Sequence, residues 1–285
     1  MNVLVTGAAG FVGSHLVSAL AARGHTVFAV HHDPTRLPRL DRVTPLAWDL
    51  AAAPPPDLPS TLDAVFHLAQ ANVPVPAHAA QMFGVHVAAT QHLLGLARDA
   101  GARRFVLAST GSVYGAGARP WTEADPTEGP GYYAASKVAA EKLVRALGDV
   151  VPFSIFRLFT PYGPRQSNRL VPGLIARVTG GQAVTLAAGT GPTFNPIHVS
   201  HVVDVLVQSL DAAGNQLLNL GGDDSLSIRD MAVAIGRVVG RDPLLQPQPG
   251  AADRIVGDIA ALRRAYRLPE RLTSFAAGVR SMLAA

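Results

Sequence analysis

The first half of the chain alternates short apolar runs with amphipathic segments. Short apolar runs are typical of buried parallel strands, where apolar side chains cover both faces of the sheet. Between the first two runs, Leu16, Val17 and Leu20 share one face of a predicted helix. The alternation predicts an α/β fold with a right-handed, doubly wound parallel sheet. Six strands are expected up to Phe159, among them residues 3–5, 26–30, 43–47, 63–69 and 104–109.

The second half has fewer apolar runs and predicts a smaller domain at residues 161–285, after a first domain at residues 1–160. One part of it, residues 193–212, is expected to return to the first domain. Ser227 precedes an apolar-periodic segment and is expected to cap a helix that ends at Val239. The other expected helices are 81–100, 132–147, 170–180, 202–210 and 272–283, and the other expected strands are 185–186 and 217–220.

Three glycines follow the first apolar run at intervals of three: Gly7, Gly10 and Gly13. In dinucleotide-binding turns the first glycine permits the tight turn, the second lets backbone approach a pyrophosphate, and the third lets the helix pack on the strand. The helix N-terminus that follows offers free N–H groups to the phosphates. The spacing therefore indicates a dinucleotide site, with an ordinary tight turn as the alternative.

Composition excludes several classes. The 285 residues carry a net charge of +4 and scattered basic residues, which argues against a nucleic-acid partner. There are no cysteines, so disulfides and thiolate sites are excluded. His198, His201 and Asp204 are spaced like metal ligands, but no further ligand is near in sequence and no metal is expected. No apolar stretch is long enough to span a bilayer and no leader is evident, so no membrane contact and a cytoplasmic location are expected.

The end of the second strand bears on the choice of cofactor. A carboxylate there usually binds the adenosine ribose of NAD, whereas this chain has His31, with Asp33 and Arg36 further on. A neutral or cationic pocket favours the 2′-phosphate, so we expect NAD(P) with a preference for NADP. The alternative is that the histidines are exposed loop residues. Asp49, after the third strand, is expected to meet the adenine amino group.

Tyr133 and Lys137 lie four residues apart in the predicted helix at 132–147, and therefore on one helix face. A nearby ammonium favours the phenolate and lowers the pKa of a phenol. A tyrosine of this kind can exchange a proton with a carbonyl or carbinol oxygen during hydride transfer. Thr110 or Ser112, at the end of the fifth strand, would bond the same oxygen.

Six stretches together resemble a known family: TGAAGFVG, DAVFHLAQA, LASTGSVYG, YYAASK, RLFTPYGPRQ and NPIHVSHVVD. They are similar to extended short-chain dehydrogenases/reductases of the NAD-dependent epimerase/dehydratase family. The resemblance implies a Rossmann-like NAD(P)-binding domain at 1–160, a smaller substrate-binding domain at 161–285 and a small-molecule substrate. Such proteins commonly form dimers through the long helix expected at residues 81–100 and the helix that carries Tyr133, so the resemblance makes a homodimer possible.

The resemblance also implies roles for individual residues. Thr110, Tyr133 and Lys137 match the catalytic hydroxyl, tyrosine and lysine. Residues bordering the nicotinamide are Phe159, Thr160 and Pro161. With Tyr133 and Lys137, the expected cofactor contacts are Gly7, Gly10, Phe11, Val12, Gly13, His31, Arg36, Asp49, Leu50, Leu68, Ala69 and Gln70.

The chain departs from the family pattern at several positions. Dehydratases have an Asp-Glu pair where Gly111 and Ser112 stand, so dehydration is not expected. The arginine that binds a sugar nucleotide's diphosphate is replaced by Phe194, and a second one falls near Gln248. Losing two bidentate phosphate ligands argues against a nucleotide sugar, although other arginines could replace them. Asparagines of the family are replaced by His86 and Thr160. Expected substrate residues are Ser112, His86, Arg165, Asn168, Phe194 and Arg254.

Three functions remain open at this point. The first is an NAD(P)-dependent ketoreductase or dehydrogenase acting on a small or sugar-like substrate. The second is a nucleotide-sugar epimerase, which oxidises a carbinol, rotates the ketone and reduces it again. The third is a non-catalytic dinucleotide sensor, against which the intact Thr110, Tyr133 and Lys137 set argues.

Overall fold

The computed structural model describes residues 1–31, 33, 35, 37–55 and 58–284. Within that part of the chain the strands are β1 (Asn2–Thr6), β2 (Thr26–His31), β3 (Val43–Ala47), β4 (Ala64–His67), β5 (Arg104–Thr110), β6 (Phe153–Leu158), β7 (Pro161–Tyr162), β8 (Val184–Ala187), β9 (Thr193–Phe194), β10 (Ile197–His198), β11 (Gln216–Leu220), β12 (Leu226–Ser227), β13 (Leu245–Gln248) and β14 (Arg254–Ile255). The α-helices are α1 (Phe11–Ala22), α2 (Ala79–Phe83), α3 (Ala89–Asp99), α4 (Gly131–Ala146), α5 (Leu170–Thr179), α6 (Val199–Gln208), α7 (Ile228–Val239), α8 (Ala260–Ala265) and α9 (Phe275–Leu283).

Seven strands form the main sheet in the order β11-β6-β5-β4-β1-β2-β3. The pairs β1–β2, β1–β4, β2–β3 and β4–β5 are parallel. Strands β1 to β6 have the order of a Rossmann fold, in which ligands bind beyond the carboxyl ends of the strands. The predicted fold class is confirmed, and β11 extends the sheet by a seventh strand.

The chain divides into two compact units. Unit 1 contains residues 1–113, 127–157 and 203–218, and unit 2 contains residues 114–126, 158–202 and 219–285. The sequence predicts a domain boundary at residue 160 and a returning segment at residues 193–212. The limits of the two compact units differ from these predicted limits. The main reason is residues 114–126, which bond to the last third of the chain: Gly117 N–H donates to the Arg254 carbonyl and Trp121 N–H to the Val256 carbonyl.

Each unit has its own apolar core. In unit 1, the core lies between the sheet and its helices and includes Phe105, Leu93 and Ile155. In unit 2, Tyr162, Met231 and Val279 belong to a second cluster built largely by α5, α7 and α9. Short two- and three-stranded sheets accompany it: β10-β7, β12-β9-β14 and β13-β8.

The helix expected at 81–100 is observed as α2 and α3, joined without a break by a π-helical turn at Gly84–Ala88. Gly84 lies against Ala51, where an added Cβ would come within 2.9 Å of the Ala51 Cβ. The π-helical turn therefore begins where Gly84 packs closely on Ala51. The apolar periodicity of the sequence does not predict this wider turn. No helix in the described part of the chain is long and apolar enough to cross a membrane.

Candidate active site

The glycine turn between β1 and α1 has no space for a larger residue at two of its three glycines. Gly7 has a φ of +66°, and a Cβ there would come within 2.8 Å of the Ala69 nitrogen. A Cβ at Gly13 would collide with the Gly7 carbonyl oxygen. Gly10 is exposed and caps α1 with its backbone, while the first turn of α1 carries no acidic side chain. The helix N-terminus therefore remains attractive to an anion.

At the end of β2, His31 is buried, and its Nδ1 has no hydrogen-bond partner among the described residues. Arg36, the expected 2′-phosphate ligand, lies outside the described residues. The Oδ1 atom of Asp33 accepts bonds from the backbone N–H (2.9 Å) and hydroxyl (2.6 Å) of Thr35. Asp33 therefore already has a local role in the loop after His31.

The other predicted cofactor residues of unit 1 differ in exposure. Asp49 is exposed and accepts a bond from the Ala51 N–H at 3.0 Å, whereas the side chain of Leu50 belongs to the core. Ala69 N–H donates to the Thr6 hydroxyl at 3.3 Å, which ties the loop after β4 to β1. Gln70 is exposed, and its amide donates to Asn72 at 2.6 Å.

Thr110 ends β5, and its hydroxyl lies beside Ser112 in a short 3₁₀ turn. The two hydroxyl oxygens are 3.2 Å apart, and the Ser112 N–H also donates to the Thr110 oxygen at 3.2 Å. Both side chains belong to unit 1, where α4 packs on β5. The expected pair of strand-end hydroxyls is therefore present as a local cluster.

Tyr133 and Lys137 lie one turn apart on α4, as predicted from their spacing. Tyr133 is half-buried, and Lys137 is buried with its ammonium donating to the Ala108 carbonyl at 3.0 Å. Burial lowers the pKa of Lys137 to about 8, against the opposing charge of Glu141. The lysine is therefore cationic at neutral pH, and its ammonium group joins α4 to β5.

A buried ion pair supports the same helix. Arg157 on β6 donates to both carboxylate oxygens of Glu141, at 3.0 and 2.6 Å, and the Ser109 hydroxyl donates to one of them. Both charged side chains are 3% exposed. The sequence does not predict this network, although Arg157 is a charged residue within the largely apolar strand β6.

Two buried histidines lie near Lys137. His67 Nδ1 is 2.8 Å from the Thr6 hydroxyl, and burial and the Lys137 charge lower the pKa of His67 to about 3. His86, expected as a substrate residue, is 1% exposed and bonded through both ring nitrogens to Ala71 and Ser136. Both ring nitrogens of His86 therefore have protein partners in this structure, and a substrate role for His86 stays a prediction.

In unit 2, Phe159 is buried, and its ring stacks on Tyr114, whose other neighbour is Trp121. The next residue, Thr160, has a φ of +47°, which is rare for a β-branched side chain. Pro161 begins β7, whose parallel partner is β10. Of the three residues expected at the nicotinamide, Phe159 therefore belongs to the aromatic stack of unit 2 and Pro161 to a short parallel sheet.

The predicted substrate residues of unit 2 lie on a loop and on a short sheet. Arg165 and Asn168 are exposed and both have positive φ. Phe194 on β9 packs against the apolar core of unit 2. Arg254 on β14 pairs with Thr193, one register position from Phe194, and its buried Nε has no hydrogen-bond partner among the described residues.

A Rossmann-type sheet, a crowded glycine turn before the first helix and a helix carrying Tyr133 and Lys137 define a dinucleotide-dependent protein of the short-chain dehydrogenase/reductase type. The chain belongs to the NAD-dependent epimerase/dehydratase family, whose model matches residues 3–221. It is therefore an enzyme of that family, and the recognised resemblance is confirmed.

Relatives within the family differ in their reactions. UDP-glucose 4-epimerase of Mycolicibacterium smegmatis is 32% identical over 275 residues, covering 84% of this chain and 83% of that protein. UDP-glucuronic acid decarboxylase 2 of Arabidopsis thaliana is 28% identical over 281 residues, covering 89% of this chain and 60% of that protein. The chain thus spans about 60% of the length of that relative.

Among solved structures, MoeE5 in complex with UDP-glucuronic acid and NAD is similar over the whole chain. The TM-score is 0.87 at 28% identity, covering 100% of this chain and 98% of that one. The likeness extends over both units.

Proposed function

We propose that this enzyme transfers a hydride between NAD(P) and a carbinol or carbonyl carbon of a small or sugar-like substrate. The observation that carries the proposal is Lys137: a buried ammonium, fixed to the Ala108 carbonyl, one helical turn from Tyr133. A cation that costs energy to bury is expected where its charge has a function. The dinucleotide, when bound, supplies or accepts the hydride.

In this mechanism Tyr133 gives a proton to the substrate oxygen or takes one from it. The Lys137 charge favours the phenolate of Tyr133. The hydroxyl of Thr110 or Ser112 donates a hydrogen bond to the same oxygen. The glycine turn of unit 1 would bind the cofactor phosphates, and Arg165, Asn168 and Arg254 are the proposed substrate residues of unit 2.

We further propose net reduction of a substrate that places no diphosphate at Phe194. The Phe194 ring packs on an apolar core, and Gln248, near the second expected arginine position, is uncharged and exposed. A diphosphate there would leave about two negative charges unpaired, at several kcal/mol each when buried. Arg254 could supply a charge from the neighbouring strand.

The second candidate is a nucleotide-sugar epimerase. It is favoured by the 32% identity to UDP-glucose 4-epimerase of Mycolicibacterium smegmatis and by the likeness to MoeE5, whose structure contains a UDP-sugar and NAD. An epimerase regenerates its cofactor in every cycle and should retain it during purification. A reductase must release and rebind it.

One experiment separates these functions. The protein is incubated with NADH or NADPH and with UDP- or TDP-hexoses, their 4-keto forms and simple ketones, while nicotinamide absorbance and sugar configuration are followed. Stoichiometric oxidation of NADH or NADPH with a ketone that carries no nucleotide supports the proposal. Interconversion of sugar epimers without net oxidation or reduction of the cofactor would contradict the reductase proposal and support the epimerase. Tyr133→Phe should lower either turnover about 100-fold or more and leave cofactor binding nearly unchanged.

We propose that the cofactor is NADP(H) in preference to NAD(H). The motivation is a histidine at the end of β2, His31, where a ribose-binding carboxylate is usual, with Arg36 five residues later. Calorimetry should show tighter binding of NADPH than NADH by a modest factor, and Arg36→Ala should narrow that difference. Tighter binding of NADH by the wild type would contradict the proposal and point to Asp33.

A homodimer through the helix predicted at residues 81–100 and the helix that carries Tyr133 stays a prediction from the sequence, as does a cytoplasmic location.

A further inference from the structure

His86 lies in the π-helical turn Gly84–Ala88 and faces α4. Its ring is 1% exposed and contacts the Tyr133 ring edge-on, with 5.6 Å between the ring centroids. One ring nitrogen meets the loop after β4, and the other meets α4. The side chain of His86 therefore contacts both the loop after β4 and α4. The proposed function assigns cofactor binding to that loop and proton transfer to α4.

The hydrogen bonds determine which nitrogen of His86 carries the proton. The Ala71 N–H donates to Nε2 at 3.1 Å, so Nε2 must be an unprotonated acceptor. In a neutral ring the proton is then on Nδ1, which donates to the Ser136 hydroxyl oxygen at 2.8 Å. The Ser136 hydroxyl in turn donates to the Tyr133 carbonyl at 2.8 Å. All the bonds run in one direction, from Ala71 to the backbone of Tyr133.

The surroundings keep this ring neutral. Burial, followed by the charges of Lys137 and His67, lowers the pKa of His86 to about 3. A protonated Nε2 would compete with the Ala71 N–H for the same space. The ring therefore stays in one tautomer and one orientation over the pH range in which the enzyme is expected to work.

We propose that His86 is a positioning residue that joins the loop at residues 68–71 to the helix that carries Tyr133. The inference rests on the proposed function, in which that loop contacts the dinucleotide and Tyr133 moves the proton. Loss of the Nε2 bond should disturb the loop and cofactor binding. Loss of the Nδ1 bond should disturb the first turns of α4.

Two substitutions remove the two bonds separately. The amide of asparagine lies close to the position of Nδ1, so His86→Asn can still bond Ser136 but loses Ala71. The longer glutamine reaches the position of Nε2, so His86→Gln can still accept from Ala71 but loses the donor to Ser136. His78→Gln is the matched control, because His78 is exposed at the start of the same continuous helix.

The first measurement is the nitrogen chemical shifts of the His86 ring in labelled wild-type protein, which need no substrate. We expect the Nδ1–H tautomer throughout the neutral range. Observation of the Nε2–H tautomer or of a titrating ring would overturn the proposal.

The second measurement combines hydrogen exchange of peptides with titration of NADH and NADPH. His86→Asn should speed exchange at residues 68–71 and weaken nucleotide binding about 10-fold, the scale of one buried hydrogen bond. His86→Gln should speed exchange at residues 131–137 with nucleotide binding within a few-fold of wild type. Equal effects of both variants on both segments, or the same effects from His78→Gln, would overturn the proposal. If the tautomer and exchange results hold but Tyr133→Phe keeps full turnover, the proposed function fails and this linkage stands.

Discussion

Lys137 keeps its charge inside the protein at a cost that depends on pH. Its pKa is about 8 in the folded protein, below the usual 10.5, because burial disfavours the ammonium. Between these two values the unfolded chain binds more protons than the folded one, so the free energy of unfolding rises with pH. Below pH 8 the burial cost is fully present.

Comparison with Lys137→Met isolates this effect. From about pH 8 to 10.5 the wild type should gain stability relative to the variant, by on the order of 3 kcal/mol for a shift of this size. Urea denaturation at a series of pH values measures the difference. Lys142→Met, at an exposed lysine of the same helix, is the control. A difference that is constant with pH would contradict the inferred burial cost.

Thr160 has a backbone conformation that its side chain disfavours. Its φ of +47° lies in the left-handed region, where a β-branched residue costs about 1–2 kcal/mol and asparagine is tolerated. We expect Thr160→Asn to raise the free energy of unfolding by about 1 kcal/mol. The reverse substitution Asn168→Thr, at a φ of +52°, should lower it by a similar amount. Thermal and urea denaturation of both variants measure the change in the free energy of unfolding. A change of the same sign in both variants would contradict the inferred backbone strain.

At the scale of residues, the sequence predicts which side chains share a face of one element better than it predicts the contacts that each makes across the fold. Tyr133 and Lys137 share a helix face because helical spacing requires it. The partners of His86 could not be predicted, because Ala71 and Ser136 come from segments distant in sequence. Arg104, which resembles a surface charge in the sequence, is buried and donates to the carbonyls of Ala212, Gly214 and Phe153.

At the scale of elements, the Glu141–Arg157 pair fastens α4 to β6. Removing one partner of a buried pair leaves the other charge uncompensated, at about 3–5 kcal/mol. Glu141→Gln should therefore lower the free energy of unfolding by that amount. The double variant Glu141→Gln/Arg157→Met should lose much less, because it removes the stranded charge and keeps an acceptor for Ser109. Asp99→Asn, in the exposed pair with Arg98, is the control and should change little. A double variant as unstable as the single one would contradict this account.

Elements of five or more residues with a clear apolar pattern are predicted well, and two-residue strands are not. The strand at residues 43–47 is observed with the expected bounds, and α7 begins after Ser227 with a capping box that includes Asp230. The two-residue strands β7, β9, β10, β12 and β14 were missed, because two residues show no periodicity. Their pairing depends on partners elsewhere in unit 2. The strand expected at 63–69 is shorter, at Ala64–His67, because the chain turns toward Thr6 at Ala69.

At the scale of the molecule, the sequence predicts the fold class but not the path of the chain between the units. A boundary near 160 follows from the end of the sixth strand, and β6 does end at Leu158. Residues 114–126 carry no signal that would assign them to the second unit. Their membership depends on bonds to residues 254–258, which are more than a hundred positions away.

The chain passes between the two units five times, and this has a consequence for synthesis on the ribosome. Arg104 lies in β5, but its acceptor carbonyl at Gly214 is 110 residues later. At roughly 5–20 residues per second, the interval is about 6 to 22 s. During that time the nascent β5 carries an arginine that has at most one of its three carbonyl acceptors, that of Phe153. Completion of the sheet is therefore delayed until translation has passed residue 220, the end of β11. A gene truncated after codon 160 would encode a sheet that keeps the Phe153 acceptor of Arg104 but lacks β11 and the acceptor carbonyls of Ala212 and Gly214.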